Sequence, residues 1–276
     1  GCKDSLSKRV EILRKPQITF RHKGLGTGFQ CRNVPLGFDV KDTDVAKPYS
    51  VLWTFSDGQT FTDSIIEVSF AQEGSKWVDI VVGNERGCFD TISKHQFNIY
   101  EQPHAGFYIT DSALCFRGNS FELVDTTIIN NGTITSLDWD FGDGSSTTKS
   151  NNSSVFKTYS DTGDYLVQLV FTNSQTCRDT VTRKLRVLPQ PKAIFTHADS
   201  LQCRTNNSFA FNNLSVSNSP TTSLTYDWRF DDTTSSASTS PVKSYTFDGV
   251  KTNTLYVENG EGCRDTFSST LEVYPQ

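Results

Sequence analysis

The residues best able to do covalent chemistry are the seven cysteines, Cys2, Cys31, Cys88, Cys115, Cys177, Cys203 and Cys263. None has the close pairing with a second cysteine or histidine that a metal site needs, so they read as a disulfide framework in an oxidising compartment. The four histidines His22, His95, His104 and His197 occupy no motif-like positions and read as surface residues. The chain contains no Gly-x-Ser-x-Gly and no His-Glu-x-x-His. Gly24-Leu25-Gly26-Thr27-Gly28 lacks the lysine of a phosphate loop and reads as a flexible insertion. Asp140 and Asp143 are weak calcium candidates, because clustered carboxylates on a turn suit a hard cation. A tight Asp/Gly turn accounts for them more cheaply. No catalytic residue and no cofactor is expected.

The cysteines belong to a repeat. Gly1-Cys2-Lys3-Asp4-Ser5, Gly87-Cys88-Phe89-Asp90-Thr91, Thr176-Cys177-Arg178-Asp179-Thr180 and Gly262-Cys263-Arg264-Asp265-Thr266 share one pattern. Pro103 to Cys115 aligns without gaps with Pro191 to Cys203, and Pro16 to Cys31 is a looser copy. Mid-unit landmarks follow: Trp53-Thr54-Phe55-Ser56-Asp57-Gly58, Trp139-Asp140-Phe141-Gly142-Asp143-Gly144 and Trp228-Arg229-Phe230-Asp231-Asp232. Alternating stretches such as Gly163 to Phe171 read as half-buried strands. The tryptophans are expected in the cores.

The order of these landmarks resembles the polycystic-kidney-disease (PKD) domain, an immunoglobulin-like sandwich of seven strands. The second unit carries that family's Trp-Asp-Phe-Gly-Asp-Gly intact, with Tyr159 and Gly163-Asp164-Tyr165 after it. The first and third units depart from it at Thr54 and Ser56, and at Arg229 and Asp231 to Thr233. The resemblance implies an all-β chain of tandem PKD-type sandwiches forming an elongated rod. Residues 1–15 match the last strand of a preceding repeat, and three units follow at 16–101, 102–189 and 190–276. Proline-containing steps between units imply restricted linkers. On this alignment the cysteines pair within units, as Cys31–Cys88, Cys115–Cys177 and Cys203–Cys263, because the first and last strands of such a sandwich run side by side. Each bridge would be worth about 4 kcal/mol by loop entropy. Cys2 is left over and is assigned a partner upstream or in a neighbouring subunit. Tension would then extend only the 26 residues between Cys88 and Cys115, or the 25 between Cys177 and Cys203.

Asp-Ser/Thr-aliphatic triplets place candidate O-glycans on Ser5, Ser64, Thr91, Ser112, Thr180 and Ser200, resembling the modification signal of secreted Bacteroidota proteins. Structural recurrence of the Cys-x-Asp strand explains several of them equally well. A net charge of −5 with dispersed Lys and Arg offers no basic stripe, which disfavours nucleic acid and anionic lipid as partners. No run approaches the roughly 18 apolar residues of a membrane span. Expected partners are neighbouring repeats or subunits of the same filament, together with a surface polysaccharide or protein ligand. The reading is a non-catalytic, extracellular, cell-surface adhesin or filament segment, similar to the giant repeat adhesins of gliding Bacteroidota exported by type IX secretion. The alternatives are an accessory stalk of a secreted protease or glycoside hydrolase, and a self-assembling sheath or surface-layer subunit.

Overall fold

The computed structural model describes all residues except 1–2, 24–28, 43–49, 131, 220–222 and 276. The glycine-rich stretch at 24–28 and Cys2 therefore lie outside the described residues. The rest is all-β, with no helix among them.

Among the described residues, twenty-four strands fall into three groups of eight. The first contains β1 (Ile18–Lys23), β2 (Phe29–Cys31), β3 (Leu36–Asp42), β4 (Ser50–Phe55), β5 (Thr60–Phe61), β6 (Ile65–Val68), β7 (Gly74–Gly83) and β8 (Phe89–Tyr100). The second contains β9 (Phe107–Ile109), β10 (Ala113–Cys115), β11 (Phe121–Asp125), β12 (Ile134–Asp140), β13 (Ser146–Lys149), β14 (Val155–Lys157), β15 (Gly163–Asn173) and β16 (Arg178–Leu188). The third contains β17 (Phe195–His197), β18 (Leu201–Cys203), β19 (Phe209–Asn213), β20 (Leu224–Arg229), β21 (Ser235–Ser236), β22 (Val242–Lys243), β23 (Gly249–Asn259) and β24 (Arg264–Tyr274).

All three groups have one topology. In the second, β9-β11-β14 forms one sheet and β10-β16-β15-β12-β13 the other. The first and third repeat these orders as β1-β3-β6 with β2-β8-β7-β4-β5, and as β17-β19-β22 with β18-β24-β23-β20-β21. Two sheets facing one another bury alternate side chains between them. Trp53, Trp139 and Trp228 are each at most 1% exposed and sit at the centre of their units. Trp139 meets Phe107 edge-on at 4.9 Å between ring centroids, and Trp228 lies 4.8 Å from Phe195. These rings are core, as expected.

The sequence's first strand is in fact two. β9 stays in the three-stranded sheet, and the chain then crosses so that β10 joins the other sheet, parallel to the end of β16 with Cys115 opposite Leu188. β2 and β18 cross in the same way, with Cys31 opposite Tyr100 and Cys203 opposite Tyr274. This division fixes the positions of the cysteines.

Residues 3–17 form no strand, and Leu6, Val10 and Ile12 are 79–97% exposed. A last strand pairs along its length with the penultimate strand of its own unit, as β8 does with β7. Among the described residues no such strand accompanies residues 3–17.

Candidate functional site

Each late cysteine follows a hairpin turn built on an asparagine four residues earlier. The Asn84 side-chain oxygen accepts from the amides of Arg86 and Cys88, both at 3.0 Å. Asn173 does the same for Gln175 and Cys177 at 3.0 and 2.9 Å, and Asn259 for Glu261 and Cys263 at 3.1 and 2.9 Å. The residue before the cysteine takes a left-handed backbone at Gly87, Thr176 and Gly262, with φ of 76°, 63° and 85°. Glycine suits that position; the branched Thr176 is tolerated there at a cost. The turn sits at the start of the last strand, where the chain enters the unit.

Each early cysteine sits at the opposite pole, beside the end of that same strand. Last strands of 11 or 12 residues separate the two positions by about 35 Å at the usual rise. A disulfide tolerates a Cα separation of only about 4.4 to 6.8 Å. The expected pairs Cys31–Cys88, Cys115–Cys177 and Cys203–Cys263 are therefore ruled out by strand register. Instead, Cys31 is bonded to Cys177 and Cys115 to Cys263, each with Cα atoms 5.6 Å apart. The exit pole of one unit is bonded to the entry pole of the next. Among the described residues, Cys88 and Cys203 carry no bond.

Polar contacts surround each bridge. At the second junction, Asn259 donates to the carbonyl of Pro189 at 2.9 Å, and the Gln190 amide donates to the carbonyl of Arg264. Asp265 accepts from the Ala193 amide at 2.9 Å and from Arg117, in the preceding unit, at 2.6 Å. Burial alone would raise its pKa, but the Ala193 amide and the Arg117 guanidinium outweigh that and hold the carboxyl below the usual range. At the first junction, Gln102 donates to the carbonyl of Arg178 at 2.7 Å and Asp179 accepts from the Ala105 amide at 2.8 Å. The second junction also holds an open cleft of about 500 Å³, lined by Phe116, Arg117, Pro191, Asn218 and Phe267 among others.

Asn259 is 3% exposed and its side chain makes three hydrogen bonds. Asn259→Ala leaves the Cys263 amide and the Pro189 carbonyl short of a partner, at an expected cost of about 3 kcal/mol to the third unit. Denaturant unfolding followed by Trp228 fluorescence checks this, and a loss below about 1 kcal/mol would show that the turn does not depend on its asparagine.

The motif aspartates serve their turns. Asp140 accepts from the Gly142 amide at 2.9 Å, and a Cβ at Gly142 would lie 2.6 Å from the Leu166 carbonyl oxygen, so only glycine fits. Asp143 accepts from Ser145 and pairs with the Lys157 ammonium at 2.6 Å. Burial would raise its pKa, but Lys157 and Ser145 prevail and hold it at about 2. The third unit repeats this with Asp232, Thr234 and Lys243. A lysine thus stands where a cation at Asp143 would bind. Among the described residues no group of three or more His, Cys, Asp or Glu is placed to hold a metal.

Of the candidate glycosylation residues, Ser5, Thr91, Ser112, Thr180 and Ser200 are exposed and Ser64 is half-buried. Their neighbouring aspartates include Asp90, paired with Lys15 at 2.8 Å, and Asp179, so the recurring Cys-x-Asp pattern has a structural role at the junctions. The histidines are not all on the surface. His22 and His95 are half-buried in the first unit with ring centroids 6.1 Å apart, and burial followed by the charge of His95 lowers the pKa of His22.

The PKD domain model matches residues 103–187 and 190–274, more than half of the chain. The chain belongs to the PKD domain family. A solved PKD1 domain of the Vibrio cholerae metalloprotease PrtV is 28% identical, with 31% of this chain and 96% of that one covered and a TM-score of 0.27. The PKD1 domain of Vibrio anguillarum Epp is 26% identical, covering 31% and 93%, again with a TM-score of 0.27. Drosophila OTK extracellular domains 3–5 are 12% identical, covering 89% and 93%, with a TM-score of 0.34. A search of curated proteins finds no match. PKD units are non-catalytic modules, and two disulfides belong to an oxidising compartment, so this is a non-catalytic region of extracellular type.

Proposed function

We propose that this PKD region is a tension-bearing rod that spaces an adhesive or filament-forming protein away from a cell surface. The observation that carries the reading is the placement of both disulfides across junctions. A bridge inside a domain protects that domain's fold; a bridge between domains limits how far and at what angle they separate. The second junction adds the Arg117–Asp265 pair and the Asn259–Pro189 contact to the same task. A rod of this kind serves attachment, where force is applied along the chain. Surface-exposed Thr91, Ser112, Thr180 and Ser200 would carry any glycans on its flanks.

The test uses source cells in which residues 16–276 are deleted in frame. Antibody against this region is expected to label intact wild-type cells, and attachment under flow is expected to fall several-fold in the deletion strain. Labelling only after lysis, or unchanged attachment, would overturn the proposal.

A further inference from the structure

Cys88 and Cys203 are equivalent in position to residues that are bonded elsewhere in the chain. Cys203 ends β18 opposite Tyr274, as Cys115 ends β10 opposite Leu188 and Cys31 ends β2 opposite Tyr100. The residue after each cysteine donates to the same carbonyl: Arg204 to Tyr274 at 2.9 Å, Phe116 to Leu188 at 2.9 Å and Arg32 to Tyr100 at 2.8 Å. Cys203 therefore has the backbone setting of two cysteines that are bonded to the next unit. Cys88 likewise shares its turn with Cys177 and Cys263, down to the amide of Asn84, Asn173 or Asn259 donating to the cysteine carbonyl at 3.0 Å.

The difference lies in what covers them. Cys177 and Cys263 are fully buried against the preceding unit, whereas Cys88 is half-buried and Cys203 exposed. At Cys88 the preceding segment is partly in place. Asn84 donates to the carbonyl of Arg14 at 3.0 Å, as Asn259 does to Pro189, and Lys15 pairs with Asp90. Residues 11–15 thus occupy the linker position of a junction.

We propose that the junction rule continues in both directions within one polypeptide. Cys203 bonds the late cysteine of a following PKD unit, one that presents an asparagine four residues before it. Cys88 bonds the early cysteine of a preceding unit. Forming each bond removes two protons and two electrons from a pair of thiols and passes them to an exported disulfide oxidant, which leaves as the dithiol. A second copy of this chain is the weaker occupant, because its Tyr274–Pro275 end would have to enter the place that residues 11–15 hold beside Asn84. The inference does not depend on what the rod carries.

The test uses the full native protein, isolated without reductant, alkylated and digested with its disulfides intact. Mass spectrometry is expected to recover the Cys203 peptide bonded to a peptide with asparagine four residues before its cysteine, and less than a tenth of it alkylated. The Cys88 peptide should be bonded to a cysteine N-terminal to residue 1. Recovery of Cys203 chiefly as alkylated thiol, or bonded to Cys263, overturns the proposal. An electrophoretic ladder that collapses on reduction would assign the bond to a second copy, and overturns it equally.

Discussion

Pulled from its two ends without reductant, the chain is expected to lengthen between Cys31 and Cys263 by no more than the contour of the segment from Cys115 to Cys177. The two bridges interleave, since Cys115 lies between Cys31 and Cys177, and Cys177 between Cys115 and Cys263. They join two points of the chain by three parallel arms: 31–115, 115–177 and 177–263. The shortest arm, about 62 residues (177 minus 115), sets the limit, so the stretched length is roughly 220 Å at about 3.5 Å per residue. Reduction releases all of 31–263, about 232 residues and roughly 800 Å. The three arms also share the force until the shortest is taut. Single-molecule force spectroscopy with and without reductant measures both lengths. Successive steps of whole units, each near 300 Å at about 3.5 Å per residue, in the oxidised chain would sink this account. Bridges inside units would instead have left only short tracts between neighbouring bridges to extend, so the two pairings are also distinguishable by step size.

The repeat, its strands and its tryptophan cores could be read from the sequence because each is local. Alternation marks β15, and three copies of Trp-x-Phe mark the core around Trp53, Trp139 and Trp228. The pairing of the cysteines is not local. It turns on the crossing between β9 and β10, which changes the early cysteine's neighbour from the start of the last strand to its end. Nothing in Thr110-Asp111-Ser112 announces that crossing. An alignment of repeats shows that two cysteines recur per unit, and cannot show whether equal positions meet within a unit or across a junction. Asn84, Asn173 and Asn259 were visible at a fixed distance before each late cysteine, yet asparagine is common in loops, and only the turn's hydrogen bonds reveal its purpose. Arg117 and Asp265 lie 148 residues apart and become a pair only once two units are docked. His22 and His95 meet for the same reason at smaller scale, through the packing of β1 against β8.

The middle unit should depend on the bridges more than either neighbour. By loop entropy alone the bridges close 146 and 148 residues, worth about 5 kcal/mol each against complete unfolding. A single unit unfolding between folded neighbours faces smaller loops. For the second unit, Cys31–Cys177 closes the chain from the linker near Tyr100 to Cys177, and Cys115–Cys263 closes it from Cys115 to the linker near Leu188. Each is about 75 residues and worth about 4.5 kcal/mol. The first and third units each lose only one such loop when the bridges are cut. Amide exchange under native conditions, resolved by unit, therefore should accelerate on reduction by about a thousandfold in β7 and β23, and by more in β15. Cys115→Ser with Cys263→Ser removes one bridge and should affect β15 and β23 while sparing β7. The two loops of the second unit overlap between Cys115 and Cys177, so their effects there add up to less than twice one bridge. Equal acceleration in all three units, or less than tenfold in any, would show that the junctions hold the units in place without stabilising them; a graded response would identify the bridges as what couples each unit's folding to its neighbours.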